Sequence, residues 1–241
     1  MKKVINSPQV SRRNLLKFGA IALGTSAVTA TLSCASPSQT QETQYQAVPD
    51  NLSPDDALTL LMEGNQRFVR ETRLNPNQTL VRITEVAEAQ TPFAALLSCA
   101  DSRVPVEMVF DRGFGDLFVV RQAGNLVSPQ ETGSLEFGSA VLGSKVIMVL
   151  GHESCGAVEA AMNGGEFPGQ IGSLVAAIAP ALLNLEEQTG EPVENAIKAN
   201  VSWQVNQLKQ SPVISELIAE GKLKVVGGYY KLGTGEVELI A

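Results

Sequence analysis

The chain has 241 residues, 44% of them apolar and 18% charged, enough to bury one good-sized core and too apolar for long-range disorder. Eighteen cations against 25 acids leave a net charge of −7, which argues against electrostatic capture of nucleic acid, because that needs a basic face. Three cysteines cannot make a fully paired disulfide scaffold, and no apolar run beyond the first forty residues is long enough to span a bilayer.

Charge is unevenly placed: Lys2, Lys3, Arg12, Arg13 and Lys17 precede the first acid, Glu42. The N-terminal block reads Ser11-Arg12-Arg13-Asn14-Leu15-Leu16-Lys17, followed by a mildly apolar, small-residue stretch from Phe18 to Leu32. A basic flank, an apolar core and small residues around Ala30 to Ala35 are the parts of an export signal, and the paired arginines resemble the twin-arginine signal, whose machinery moves folded proteins. The expectation is an export signal over 1–35, a polar linker over 36–50 and a folded domain over 51–241. The destination is then the periplasm or another extracytoplasmic compartment such as a thylakoid lumen. Cys34, in Thr31-Leu32-Ser33-Cys34, has two readings of equal weight: a lipid-anchor site, or a signal cysteine lost on processing.

The folded part opens with helix-start chemistry: Ser53 as N-cap, Pro54 at the first helical position, Asp55 and Asp56 in the first turn. Leu58, Leu61, Met62, Phe68 and Val69 give this helix one apolar stripe through Arg70. Phe93 to Ser98 is a continuous apolar run, consistent with a strand buried on both faces, and Leu117 to Arg121 and Lys145 to Gly151 are two more. Helical spacing covers Gln130 to Leu142, 155–162, 171–188, 192–210 and 212–220. Lys222 to Gly227 reads as a fourth strand, and Gly233-Thr234-Gly235 turns into a fifth, Glu236 to Ile240. Buried strands alternating with helices predict an α/β fold, a mainly parallel central sheet covered on both sides, with an N-terminal helical arm. In such sheets ligands sit beyond the carboxyl ends of the strands.

Those ends carry the chemistry. One strand runs into Cys99-Ala100-Asp101-Ser102-Arg103 and another into His152-Glu153-Ser154-Cys155, so the single histidine and both cysteines of the folded part fall at one sheet edge. Two thiolates and an imidazole suit zinc, and three protein ligands leave the fourth position that marks a catalytic site. Asp101 is placed to accept a hydrogen bond beside the metal or to bind it, and Arg103 offers a fork that matches its carboxylate. The plainer readings are a Cys99–Cys155 disulfide or two buried thiols, and a surface ion pair for Asp101–Arg103.

The chain from about Asp56 to its end resembles the beta-class carbonic anhydrases. The resemblance rests on Cys99-Ala100-Asp101-Ser102-Arg103, on Gly115-Asp116-Leu117-Phe118-Val119-Val120-Arg121-Gln122-Ala123-Gly124-Asn125, and on Gly151-His152-Glu153-Ser154-Cys155-Gly156. It implies one zinc per chain on Cys99, His152 and Cys155. It also implies a catalytic dyad of Asp101 and Arg103, with Asp101 as fourth ligand in a closed form. Gln90 and Phe118 match substrate-contacting positions of plant-like members, Phe137 stands where those members have a pocket tyrosine, and Ala123 and Gly156 complete the expected substrate surroundings. Leu96 stands where some members carry the tryptophan of an inhibitory bicarbonate pocket, so that pocket is not expected.

The implied activity is reversible hydration of carbon dioxide to bicarbonate and a proton, in a homodimer or a tetramer of dimers. Two rivals share the fold: a hydrolase of carbonyl sulfide or carbon disulfide, and a zinc-stabilised binding subunit of an inorganic-carbon uptake complex, closed by Asp101.

Overall fold

A computed structural model describes residues 51–183, 185 and 189–241. The expected export segment, the linker and Cys34 lie outside the described residues, as does part of the helix expected over 171–188. Helix α1 spans Pro54–Val69; the Ser53 hydroxyl accepts the Asp56 N–H at 3.1 Å, as the capping signal requires. The remaining order is α2 (Leu80–Glu85), β1 (Ala94–Ser98), α3 (Val106–Val109), β2 (Leu117–Arg121), α4 (Pro129–Glu136), β3 (Val146–His152), α5 (Gly156–Asn163), α6 (Ile171–Ile178), α7 (Pro192–Lys209), α8 (Pro212–Ala219), β4 (Lys224–Tyr230) and β5 (Val237–Leu239).

The five strands form one sheet in the order β2-β1-β3-β4-β5, the first four parallel and β5 antiparallel to β4. Every residue of β1 and β3 is buried, the pattern of strands covered on both faces. Alternation then sorts their side chains. Leu96, Met148 and Leu150 pack with Leu61 of α1 and Phe110 on one face, while Ala95, Leu97, Ile147 and Val149 pack with Val201, Val205 and Leu208 of α7 and Ile214 of α8 on the other. The connection leaving β1 goes to one neighbour, β2, and β3 lies on its opposite side. The carboxyl ends of β1 and β3 therefore flank the topological switch point, the crevice where open α/β sheets bind ligands.

Several boundaries differ from the sequence expectation for identifiable reasons. The helix expected to end at Leu142 keeps α-geometry only to Glu136 and continues as a π-helix over Phe137–Val141. The Phe118 ring lies where a Cβ on Gly138 would stand, 2.9 Å from its nearest carbon. The helix from Ile171 tightens to a 3-10 turn over Ala179–Leu182, where Pro180 enters. The fourth strand is displaced to 224–230 and so includes Tyr229 and Tyr230. Helices α2 and α3 were not expected. The first leaves its apolar Leu80, Val81 and Ile83 exposed and buries none of its residues; it is held by its Thr79 cap and by Arg82 Nε donating to the Phe114 carbonyl at 3.1 Å.

Candidate metal centre

Cys99 is the first residue after β1, His152 the last residue of β3, and Cys155 the N-cap of α5. All three are buried, and their ligand atoms lie within 4.8 Å of one another. Tetrahedral zinc, bound about 2.3 Å from sulfur and 2.0–2.1 Å from nitrogen, spaces such atoms at roughly 3.5–3.8 Å, within reach of a small side-chain adjustment. The two cysteines are free thiols, so the disulfide reading is overturned.

The histidine is set for a metal. Its Nδ1 lies 2.9 Å from the Glu153 carbonyl oxygen, an acceptor that fixes the proton on Nδ1 and leaves the Nε2 lone pair free. That Nε2 is buried and has no hydrogen-bond partner, an orphan that a metal would satisfy. Cys99 receives the Gly124 N–H at 3.4 Å. A hydrogen bond from the Cys155 thiol, opposed by burial and aided by His152 and by the Gly124 and Asp101 backbone, lowers the Cys99 pKa. The same hydrogen bond, together with burial, pushes the Cys155 thiol up. Burial opposes charge on His152, but the Cys99 thiolate and the Glu153 carbonyl more than offset it and raise its pKa. Two thiols and an imidazole sharing protons in one buried cluster are a donor set that zinc fits.

Asp101 stands beside this cluster without joining it. Its Oδ2 is 3.9 Å from His152 Nε2, and both its oxygens are taken by Arg103: the backbone N–H and Nε reach Oδ1 at 2.8 and 2.9 Å, and an Nη reaches Oδ2 at 2.8 Å. Those bonds hold the Asp101 carboxyl well below the usual carboxylate range. Arg103 is itself anchored by donating to the Ser154 carbonyl at 3.3 Å, so one guanidinium ties the end of β1 to the turn carrying His152 and Cys155.

Arg121, the last residue of β2, also belongs to this edge and was given no role by sequence. It donates to the Cys99 carbonyl from two nitrogens at 3.2 Å and to the Asp101 carbonyl at 2.6 Å, bracing the loop that carries both. A lone arginine at a strand's carboxyl end was the available signal.

The expected substrate residues divide. Ala123 and Gly156 adjoin the cluster in chain order, next to Gly124 and Cys155. Gln90 is exposed in the segment before β1. Phe118 pairs with Ala95, four residues before Cys99, which puts it roughly 13 Å down the sheet from the cluster. Phe137 packs on it, ring centroids 6.4 Å apart. Within one chain these two rings are not at the cluster.

The comparisons agree with this geometry. The family model described as carbonic anhydrase matches residues 94–237. The chain is 40% identical over 194 residues to carbonic anhydrase 2 of Mycobacterium tuberculosis, covering 78% of this chain and 94% of that protein. It is 39% identical, with the same coverage, to a carbonic anhydrase of Mycolicibacterium smegmatis. Among solved structures, a tetrameric beta-carbonic anhydrase of Sordaria macrospora superposes with a TM-score of 0.62 at 29% identity, covering 66% of this chain and 85% of that one. The Coccomyxa beta-carbonic anhydrase in complex with acetazolamide gives 0.62 at 28%, covering 76% and 86%. A parallel sheet whose switch point gathers two thiols and one imidazole, and these matches across the same residues, place the chain in the beta-class carbonic anhydrase family.

Proposed function

We propose that this chain catalyses the zinc-dependent, reversible hydration of carbon dioxide. The observation that carries the reading is the buried triad of Cys99, His152 and Cys155 with an arginine-held carboxylate, Asp101, at its edge. Zinc on that triad would supply a Lewis acid that lowers the pKa of water and makes it a nucleophile. Asp101 Oδ2 accepts a hydrogen bond from the attacking water and so turns its lone pair toward the carbon of the substrate. Because Arg103 holds Asp101 ionised, this carboxylate orients the water and does not store the proton. The chain has one histidine, already committed to the triad, so the proton leaves through carboxylates, water or buffer. In the reverse direction the Asp101–Arg103 pair selects a protonated oxygen of bicarbonate, since the ionised carboxylate repels an unprotonated one.

A stopped-flow hydration assay on zinc-quantified protein tests the reading, with acetazolamide as inhibitor. Hydration that tracks zinc content supports it. Sulfide release from carbonyl sulfide in place of hydration would install the hydrolase rival. The closed-subunit rival requires Asp101 on the metal, whereas Arg103 holds both Asp101 oxygens here and leaves Oδ2 one lone pair for the water.

The chain works as an oligomer in this reading, consistent with the tetrameric Sordaria relative. The exposed Phe137 and Val141, and on another element Leu80 and Val81, offer apolar side chains to a second copy, which would bring Phe118, Phe137 and Gln90 toward its partner's triad. Residues 1–35 serve as a twin-arginine export signal and 36–50 as a tether, delivering the domain of 51–241 to the periplasm or a comparable compartment.

A further inference from the structure

Helix α7 buries mostly apolar side chains, Ile197, Val201, Val205 and Leu208, yet two amides share that interior face: Asn200 is fully buried and Gln204 nearly so. They are four residues apart, so they stack one turn above the other. Burying amides among apolar neighbours is costly unless their hydrogen bonds are met, and here each is met by the same loop. Asn200 Nδ2 donates to the Gly124 carbonyl at 2.9 Å. Gln204 Nε2 donates to Asn200 Oδ1 at 3.0 Å, and Gln204 Oε1 accepts the Val127 N–H at 3.0 Å. The loop so held is the one whose Gly124 N–H donates to the Cys99 sulfur at 3.4 Å.

Two further facts fix this arrangement in place. The depth of α7 is set by Val201, seated on Gly151 and Gly227, where an added Cβ would come within 2.5 and 2.7 Å of it. Asn200 is its neighbour on the helix. Gly124 has φ +74, and its carbonyl and N–H belong to adjacent peptide units hinged at one Cα. Holding the carbonyl therefore limits the sweep of the N–H.

Resting on the zinc reading above, we propose that Asn200 is a positioning residue for the metal: by holding the Gly124 carbonyl it keeps the Gly124 N–H aimed at the Cys99 sulfur, and Gln204 orients the Asn200 amide for that task. An N–H donated to a thiolate draws charge off the sulfur. In a site with two thiolates, that hydrogen bond restores part of the Lewis acidity that the thiolates take away. A side chain 76 residues from its target loop that never touches a ligand thereby tunes the metal.

The test reads the metal site directly. Full-length protein is loaded with cadmium-113, and the Gly124 amide proton is examined by NMR for scalar coupling to the metal through the sulfur. A second sample is loaded with cobalt(II) to record the thiolate charge-transfer bands. Wild type should show the coupling. Asn200→Leu and Asn200→Ser, one filling the site and one too short to reach the carbonyl, should lose it. Both should shift the cobalt bands and release metal to a chelator about 10–100-fold faster. Gln204→Leu should change both in the same direction by less. The proposal is overturned if wild type shows no coupling, or if either Asn200 variant folds and keeps the wild-type coupling, bands and release rate. A chain that takes up neither metal would instead overturn the zinc assignment itself.

Discussion

Arg103 gives Asp101 three hydrogen bonds, and they determine what the carboxylate can do across the pH range. A carboxyl whose folded pKa is depressed contributes stability that is present above its unfolded value and lost only as pH falls through the folded one. Asp101 is therefore ionised throughout about pH 5–9, given an ordinary value near 3.9, and no change in rate there belongs to its protonation. The rise in hydration rate lies on the alkaline side, with a midpoint above the value of about 7 typical of zinc on three histidines, because two thiolates neutralise the ion. Hydration rate against pH checks this, and a flat profile would contradict it. Asp101→Asn should keep zinc and lose on the order of 10²-fold in rate through lost orientation of the water, measured by stopped flow beside metal content. A wild-type rate would make the pair structural only. Cys99→Ser and His152→Ala should each fail to retain zinc after dialysis. The triad was legible in sequence because each member ends an apolar strand run or follows one by a short turn. Arg121 and Asn200 were not, because they act through backbone carbonyls of distant residues, Cys99, Asp101 and Gly124, and a spacing pattern cannot display such bonds. Phe118 and Phe137 were legible as aromatics, but their distance from the cluster needed the β1–β2 register.

At the scale of elements, glycine decides how closely α7 can approach the sheet. Gly151 precedes His152 directly, and a Cβ there would stand 2.5 Å from Val201. Gly151→Ala should cost about 1–3 kcal/mol through overpacking and weaken zinc retention by displacing the end of β3; thermal melts and chelator competition measure both. A second junction ties α1 to α3. Asp111, with no exposed side-chain surface, accepts Arg67 Nε at 2.6 Å and the N–H groups of Leu74 and Asn75 at 3.0 and 2.9 Å. Burial opposes its ionisation, but those donors outweigh it and leave its pKa lowered. Its contribution is therefore complete at neutral pH and fades as the solution becomes acid. Asp111→Asn should destabilise by about 1–3 kcal/mol, with the difference from wild type shrinking toward low pH. The long elements followed from periodicity and capping. The four-residue α3, too short to show a period, and α2, whose apolar residues stay exposed, did not; α3 is placed by burying Val106 and Val109, and α2 is held by its cap and by tertiary bonds such as Arg82 to Phe114.

At the scale of the whole chain, the N-terminal arginines and the metal centre make one prediction together. Thiolate sites are exposed to oxidation outside the cytoplasm, and a route that carries folded protein would deliver Cys99 and Cys155 already metallated. Replacing Arg12 and Arg13 by lysine should retain the protein in the cytoplasm, as fractionation would detect; normal export of the variant would refute the route. The sheet order has a separate consequence. Cys99 and His152 stand at the ends of neighbouring strands whose connection passes through β2 and α4, so a metal joining them fastens a long excursion of chain into a closed circuit. The bound ion then acts as a removable staple whose grip is set by mass action. At free zinc a thousand times its dissociation constant it would add about 4.1 kcal/mol against unfolding. The melting temperature of one and the same polypeptide should climb steadily with the zinc activity of the buffer.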